Sequence, residues 1–185
     1  QAFLMRTFAM NPAAIPEIRK AYQFELEIDY ATARHEISTD LFMAFSMRLW
    51  ASLNEKQGAA SYVYFMSHVP PACRIYRPDA PTLTLADGPR SAGAYHSGDL
   101  AYVFNTMAKT GCFWNDEDRE LAVTMNRYWI NFAKRSHPNG GEQLKWPAWS
   151  ETGEVMVFDD GPRLERDVRH QKLKALAQGL NLSLD

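Results

Sequence analysis

The run Ser61-Tyr62-Val63-Tyr64-Phe65-Met66-Ser67 constrains the fold of this chain more than any other stretch. It is built of β-formers and lacks the polar alternation of a strand with one wet face. Such a run predicts a strand buried on both faces of a parallel sheet. Ahead of it, Phe42, Phe45, Leu49 and Leu53 fall close to a helical stripe, widened by Met43, Met47 and Trp50. The spacing predicts a helix over about 40–55, capped by Ser38 and Thr39, covered on most sides and ended by Gly58. A helix, a tight loop and then a buried strand is the order of an α/β fold.

The remaining segments extend that reading. Residues 1–10 are apolar from the start and the sequence opens on Gln1, which reads as a piece cut from the middle of a larger fold. Asn11 and Pro12 open a short helix over roughly 12–22, and 22–30 is irregular or helical. Five prolines between 68 and 92 predict a long loop, of the kind that serves as a lid or lines a site. Asn115 followed by Asp116, Glu117 and Asp118 predicts the capped start of a helix over about 116–135. Leu121, Met125, Tyr128, Trp129 and Phe132 form its apolar face, and His137-Pro138-Asn139-Gly140-Gly141 stops it. Trp146-Pro147-Ala148-Trp149 is a rigid aromatic patch, Glu154–Phe158 a second short strand, and Gly161-Pro162 the opening of a terminal helix over about 162–178. One domain, or part of one, is expected.

Several function classes drop out. A net charge of -2 leaves no electrostatic footprint for nucleic acid or an anionic membrane. No stretch of about 18 apolar residues predicts a membrane-spanning helix, and the residues given show no secretory signal peptide, which a processed or cut start at Gln1 would have removed. The histidines at 35, 68, 96, 137 and 170 form no zinc-spaced motif, so neither a metal site nor a cofactor is expected. Gly-x-Gly-x-x-Gly and a Walker loop are absent, as is the Gly-x-Ser-x-Gly elbow. Cys73 and Cys112 either pair or stay free, and the apolar context of Cys112 favours a buried, inert thiol.

What remains is Gly93-Ala94-Tyr95-His96-Ser97-Gly98-Asp99-Leu100-Ala101-Tyr102-Val103-Phe104. Two glycines bracket His96, which predicts an exposed ring on a turn, and Leu100 to Phe104 reads as the buried anchor behind it. A general base is best mounted in this way.

This segment resembles the catalytic-histidine segment of type-B carboxylesterases, the cholinesterase-like branch of the α/β-hydrolase fold, with the pattern Gly-Ala-Phe-His-x-x-Glu-Ile-x-Tyr-Val-Phe-Gly. Other family-like pieces stand in the same order: Ile37–Phe42, Tyr62–Phe65, Met125–Lys134, and Pro138-Asn139-Gly140 followed by Trp146–Trp149. Asp99 stands where the family usually has glutamate, Asn105 where glycine often follows Val-Phe, and Ser97 where glycine or alanine is common.

The resemblance implies that 1–185 is the C-terminal portion of a single carboxylesterase domain, with parallel strands flanked by long helices. It implies ester hydrolysis by a serine, glutamate or aspartate, and histidine triad, with His96 as the base. Serine and acid precede the histidine in this family, so the nucleophile-bearing N-terminal portion lies outside this chain and becomes its partner, together with a small ester substrate. Asp40 is given a supporting or helix-capping role, and Asp99 a loop-supporting one. The alternative is a catalytically inactive cholinesterase-like domain used for binding or adhesion. A secreted or periplasmic location is favoured over a cytoplasmic one.

Overall fold

The computed structural model describes residues 2–71, 90, 93–166 and 168–184. The chain divides into two compact units: Gln1–Val63 with Ala148–Glu154 and Arg166–Asp185, and Tyr64–Pro147 with Val155–Glu165.

The first unit is helical. Helix α1 (Ala2–Thr7) is followed by a 3-10 turn at Pro12–Ala14 that leads into α2 (Ile15–Ala21), then α3 (Gln23–Ile28) and α4 (Tyr30–Thr39). A π-helical segment, Asp40–Phe45, joins α4 to α5 (Ser46–Lys56), so helical backbone runs from 30 to 56. The expected cap at Ser38 and Thr39 is therefore wrong. Asp29 caps α4 instead, accepting from the Thr32 amide at 2.7 Å, while Ser38 turns its hydroxyl back to the Arg34 carbonyl at 2.8 Å. Serine in mid-helix commonly bonds four residues back, which is why a cap residue alone does not mark a start.

The π segment also breaks the expected stripe. Phe45 is buried at 3% exposure, but Phe42 is 72% exposed, Trp50 66% and Leu53 52%. A π turn holds more residues than an α turn, so positions on either side of it no longer share one face. The core of this unit gathers Leu4, Phe8, Ile18, Tyr22, Ile37 and Phe45 around Leu173 and Leu176. Those last two lie on α9 (His170–Gly179), which follows the short α8 (Trp149–Thr152) in the chain's helix order. Gly179 permits this packing, because a Cβ there would come within 2.5 Å of Phe8 Cδ1.

The second unit holds a three-stranded sheet in the order β1 (Tyr64–Met66), β2 (Val155–Phe158) and β3 (Pro162–Glu165). β1 pairs with β2 in parallel, Phe65 opposite Val157, in keeping with the expected parallel sheet. The double-sided burial belongs to β2, whose four residues are all buried, whereas Tyr64 is exposed and Phe65 and Met66 are half-buried. β1 is an edge of this sheet, so one side of its backbone has no neighbour strand among the described residues.

β3 runs antiparallel to β2, at the place where Gly161-Pro162 predicts the start of a terminal helix. Asp159-Asp160-Gly161 turns the chain, and Pro162 sits at the strand's first position, where its missing N–H does little harm. The α/β architecture is nonetheless present, with a partial sheet and long helices.

Helix α6 (Leu100–Val103) and helix α7 (Asp116–Arg135) complete the second unit. α7 begins and ends where its caps predict, although Phe132, at the end of the expected apolar face, is exposed. Asn115 accepts from the Asp118 amide at 2.8 Å, the Asp118 carboxylate accepts from the Asn115 amide at 2.9 Å, and Ser136 closes the helix in left-handed backbone. Leu121, Met125 and Tyr128 are buried, and Tyr128, Trp129, Trp146 and Phe158 pack ring against ring at 5.5–6.1 Å. Asn139 fixes Trp146 by bonding both its amide and its carbonyl, at 2.6 and 2.8 Å. Burial raises the Tyr128 phenol to about 12 while its hydroxyl donates to the Leu144 carbonyl at 2.7 Å.

Candidate active site

His96 is exposed on a tight turn, as its glycine-flanked setting predicts. Gly93 adopts φ +64, and the Gly98 amide closes the turn on the Tyr95 carbonyl at 3.0 Å. Gly98 is required for space rather than for φ. A Cβ there would lie 2.8 Å from the Pro70 ring and 3.0 Å from the Tyr95 carbonyl.

Two further contacts hold the turn. The Tyr95 hydroxyl donates to the Pro71 carbonyl at 3.1 Å, and the Tyr64 hydroxyl, from β1, donates to Asp99 at 2.6 Å. Loss of water around the phenol oxygen, reinforced by the Asp99 carboxylate, pushes the Tyr64 phenol well above its ordinary value although the residue's edge is exposed, so it remains a donor. The Asp99 carbonyl also accepts from the amides of Tyr102 and Val103, the start of α6. Asp99 thus serves the loop and not the imidazole.

Two positions that depart from the family pattern have unusual backbone. Ser97 has φ 63 and Asn105 has φ 49, both left-handed, where glycine is at ease. The Ser97 hydroxyl bonds the His96 carbonyl at 2.5 Å, which turns it away from nucleophilic use.

Behind the turn, Ala101, Tyr102 and Val103 are buried, while Leu100 and Phe104, at the ends of the expected anchor, are exposed. α7 holds this anchor through Asn126, which donates to the Val103 carbonyl at 2.7 Å. It also does so through Asp118, which is wholly buried. Asp118 accepts from the Tyr102 hydroxyl at 2.7 Å and from Arg90 at 2.5 Å, and it meets His68 Nε2 at 2.8 Å. Burial alone would raise this carboxyl, but hydrogen bonds from Arg90, His68, the Asn115 amide and Tyr102 outweigh it and hold it below the usual carboxylate range.

By sequence, Asp118 is only one of three acids favoured by the helix dipole. The usable signal is its place three residues after Asn115, where a capping-box side chain turns back toward the helix start. His68 and Asp118 form a histidine–aspartate pair, but a sealed one: their side chains are 7% and 0% exposed. A pair so covered can position groups, not meet a substrate.

Three further expectations meet the structure with different outcomes. Asp40 lies inside the continuous helix, so it is not a cap; it is buried and accepts from Tyr22 at 2.6 Å and Arg169 at 2.7 Å. Cys112 is disulfide-bonded, which replaces the expected inert thiol; the only other cysteine, Cys73, lies outside the described residues. The proline-rich loop expected to line the pocket also falls largely outside them, at 72–89 and 91–92. No described helix is long and apolar enough to cross a membrane.

Comparison with known proteins bears on this geometry. The family model described as "Carboxylesterase family" matches residues 7–176. Carboxylesterase 4A of Bos taurus is 25% identical over 138 residues, covering 75% of this chain and 23% of that protein. Bile salt-activated lipase of Homo sapiens is 31% identical over 93 residues, 50% of this chain and 11% of that one. This chain therefore spans about a quarter or less of the length of these curated relatives. Among solved structures, a PNB esterase superposes with a TM-score of 0.58 at 25% identity, covering 78% of this chain and 28% of that one. Carboxylesterase EST55 of Geobacillus stearothermophilus gives a TM-score of 0.66 at 23% identity, covering 86% and 31%, a likeness of fold.

Proposed function

The chain belongs to the carboxylesterase family, and from that premise we propose that it is the C-terminal portion of a serine esterase domain and supplies His96 as the general base. The observation that carries this reading is the mounting of His96: an exposed imidazole on a turn whose flanking side chains, Tyr95 and Asp99, are hydrogen-bonded to the Pro71 carbonyl and the Tyr64 hydroxyl. A base so placed meets substrate without losing its aim.

In the proposed reaction the His96 ring takes the proton from a serine hydroxyl as that oxygen attacks the carbonyl of a small carboxylic ester. The imidazolium then gives the proton to the departing alcohol, and the same two transfers, through water, release the acid. The serine, the carboxylate that fixes the ring's tautomer and the amides that hold the oxyanion come from the nucleophile-bearing portion of the enzyme. That portion is this chain's principal partner. The disulfide at Cys112 fits an oxidising location, secreted or periplasmic.

The test is His96→Gln in the full-length protein, read as p-nitrophenyl ester turnover. A loss of several orders of magnitude is expected, and a loss under about tenfold overturns the assignment. A wild-type protein without turnover would favour the alternative, a binding or adhesion domain.

A further inference from the structure

The parallel register of β1 and β2 brings one side chain to two neighbouring ones that the sequence keeps about ninety residues away. Past the end of β1, the amides of Ser67 and His68 both donate to the Phe158 carbonyl, at 2.9 and 3.0 Å. This fixes His68 beside the turn that begins at Asp159. A ring nitrogen of His68 and one carboxylate oxygen from each of Asp159 and Asp160 lie within 4.8 Å of one another.

We propose that His68, Asp159 and Asp160 form a binding site for a divalent transition-metal ion, of which zinc is the type. The argument rests first on His68. Its side chain is only 7% exposed, and its Nε2 is committed to the Asp118 carboxylate. A carboxylate accepts, so Nε2 carries the proton and the lone pair lies on Nδ1. A histidine held through one nitrogen by a carboxylate is the arrangement that orients metal ligands and raises their basicity.

The donor set agrees with the ion. One imidazole and two carboxylates suit a borderline cation, and three protein ligands leave a coordination position for water. Donors on one zinc ion sit about 3.3 Å apart, given bonds of roughly 2.0–2.2 Å. Asp160 is exposed, so a side-chain rotation can close the remaining gap. Arg163, which faces Asp159 at 3.3 Å, keeps its shorter partner Glu165 at 2.6 Å when the metal takes the carboxylate. The bound ion would tie the β2–β3 turn to the segment leaving β1, outside the carboxyl ends of the parallel pair, where α/β sheets commonly hold ligands.

This site does not depend on the esterase reading. The experiment is calorimetric titration of the intact, chelator-treated protein with Zn2+, in the wild type, in the double variant Asp159→Asn with Asp160→Asn, and in His96→Gln. One saturable site per chain is expected in the wild type and in His96→Gln, weakened at least tenfold in the double variant. Zinc should raise the thermal midpoint of the wild type by about 3 °C or more and leave that of the double variant unchanged. Absence of a saturable site in the wild type, or equal affinity in the double variant, overturns the proposal. The double variant replaces one half-buried and one exposed carboxylate, and its folding is checked directly by its unfolding midpoint without metal.

Discussion

Among the described residues each unit of this chain has one buried aspartate, and the two carboxylates have similar partners but hold different things. Asp40 accepts from the Tyr22 hydroxyl and from Arg169; Asp118 accepts from the Tyr102 hydroxyl and from Arg90. Asp40 joins helical segments whose neighbours already bury Phe8, Ile18 and Leu176 completely. Asp118 gathers His68 and Arg90, which lie outside regular structure, together with Tyr102 of α6 and the first turn of its own helix. The same chemistry closes a core in one unit and steadies the loop of the proposed base in the other. Removing either carboxylate should cost stability, but only Asp118 should also carry rate.

Asp118→Ala in the full-length protein should be the change that costs most stability. It strands Arg90 and the Tyr102 hydroxyl and removes a capping-box partner, for about 3–5 kcal/mol in urea unfolding. Ester turnover per folded molecule should fall by about tenfold or more, as the anchor behind His96 loosens. Asp40→Ala should cost about 3 kcal/mol, because Arg169 keeps Glu36 at 2.6 Å as a second partner. Its kcat, measured where the protein is folded, should match the wild type. A matching fall in kcat would break the contrast between the two aspartates.

Tyr64→Phe sharpens the contrast within the histidine loop. It removes the donor to Asp99 and leaves the ring packed against Trp129, so stability should drop by only about 1 kcal/mol. Turnover should fall several-fold with KM little changed, since the turn carrying His96 loses one of its holds. An unchanged kcat would mean that Asp99 does not position the loop.

The smallest expected effect is at acid pH. Asp118 has a folded-state pKa below its unfolded value of about 3.9, so its stabilisation is complete above that value. It is lost as pH falls through the lower folded value. Unfolding midpoints measured from pH 6 to 2.5 should therefore slope less steeply in Asp118→Asn than in the wild type. Parallel slopes would refute the depressed pKa.

How much of this is legible in the sequence depends on whether a signal is local. Helix α7 follows from Asn115, its first-turn acids and one apolar face, all contained within twenty-odd residues. The His96 turn is equally legible, because two glycines around a histidine describe a turn by themselves. The helix through 30–56 is not, since Ser38 and Thr39 look like caps whether or not the backbone continues. The hairpin at 155–165 escapes because Gly161-Pro162 serves a turn into a strand as readily as a helix start. Asp118 as a hub is out of reach, for its partners at 68, 90 and 102 are set by tertiary packing.

The left-handed backbone at Ser97 has a consequence for how this protein can vary. A β-branched or bulky side chain in that conformation costs about 1–2 kcal/mol, and the neighbour it would disturb is His96. In a saturation library, position 97 should therefore accept glycine, asparagine and aspartate and reject valine and isoleucine, although the residue itself takes no part in the proposed proton transfers. Asn105, at the far end of α6, should show the same profile. Sequence freedom on either side of the anchor is thus set by torsion angles, and it marks this segment as surely as the histidine does.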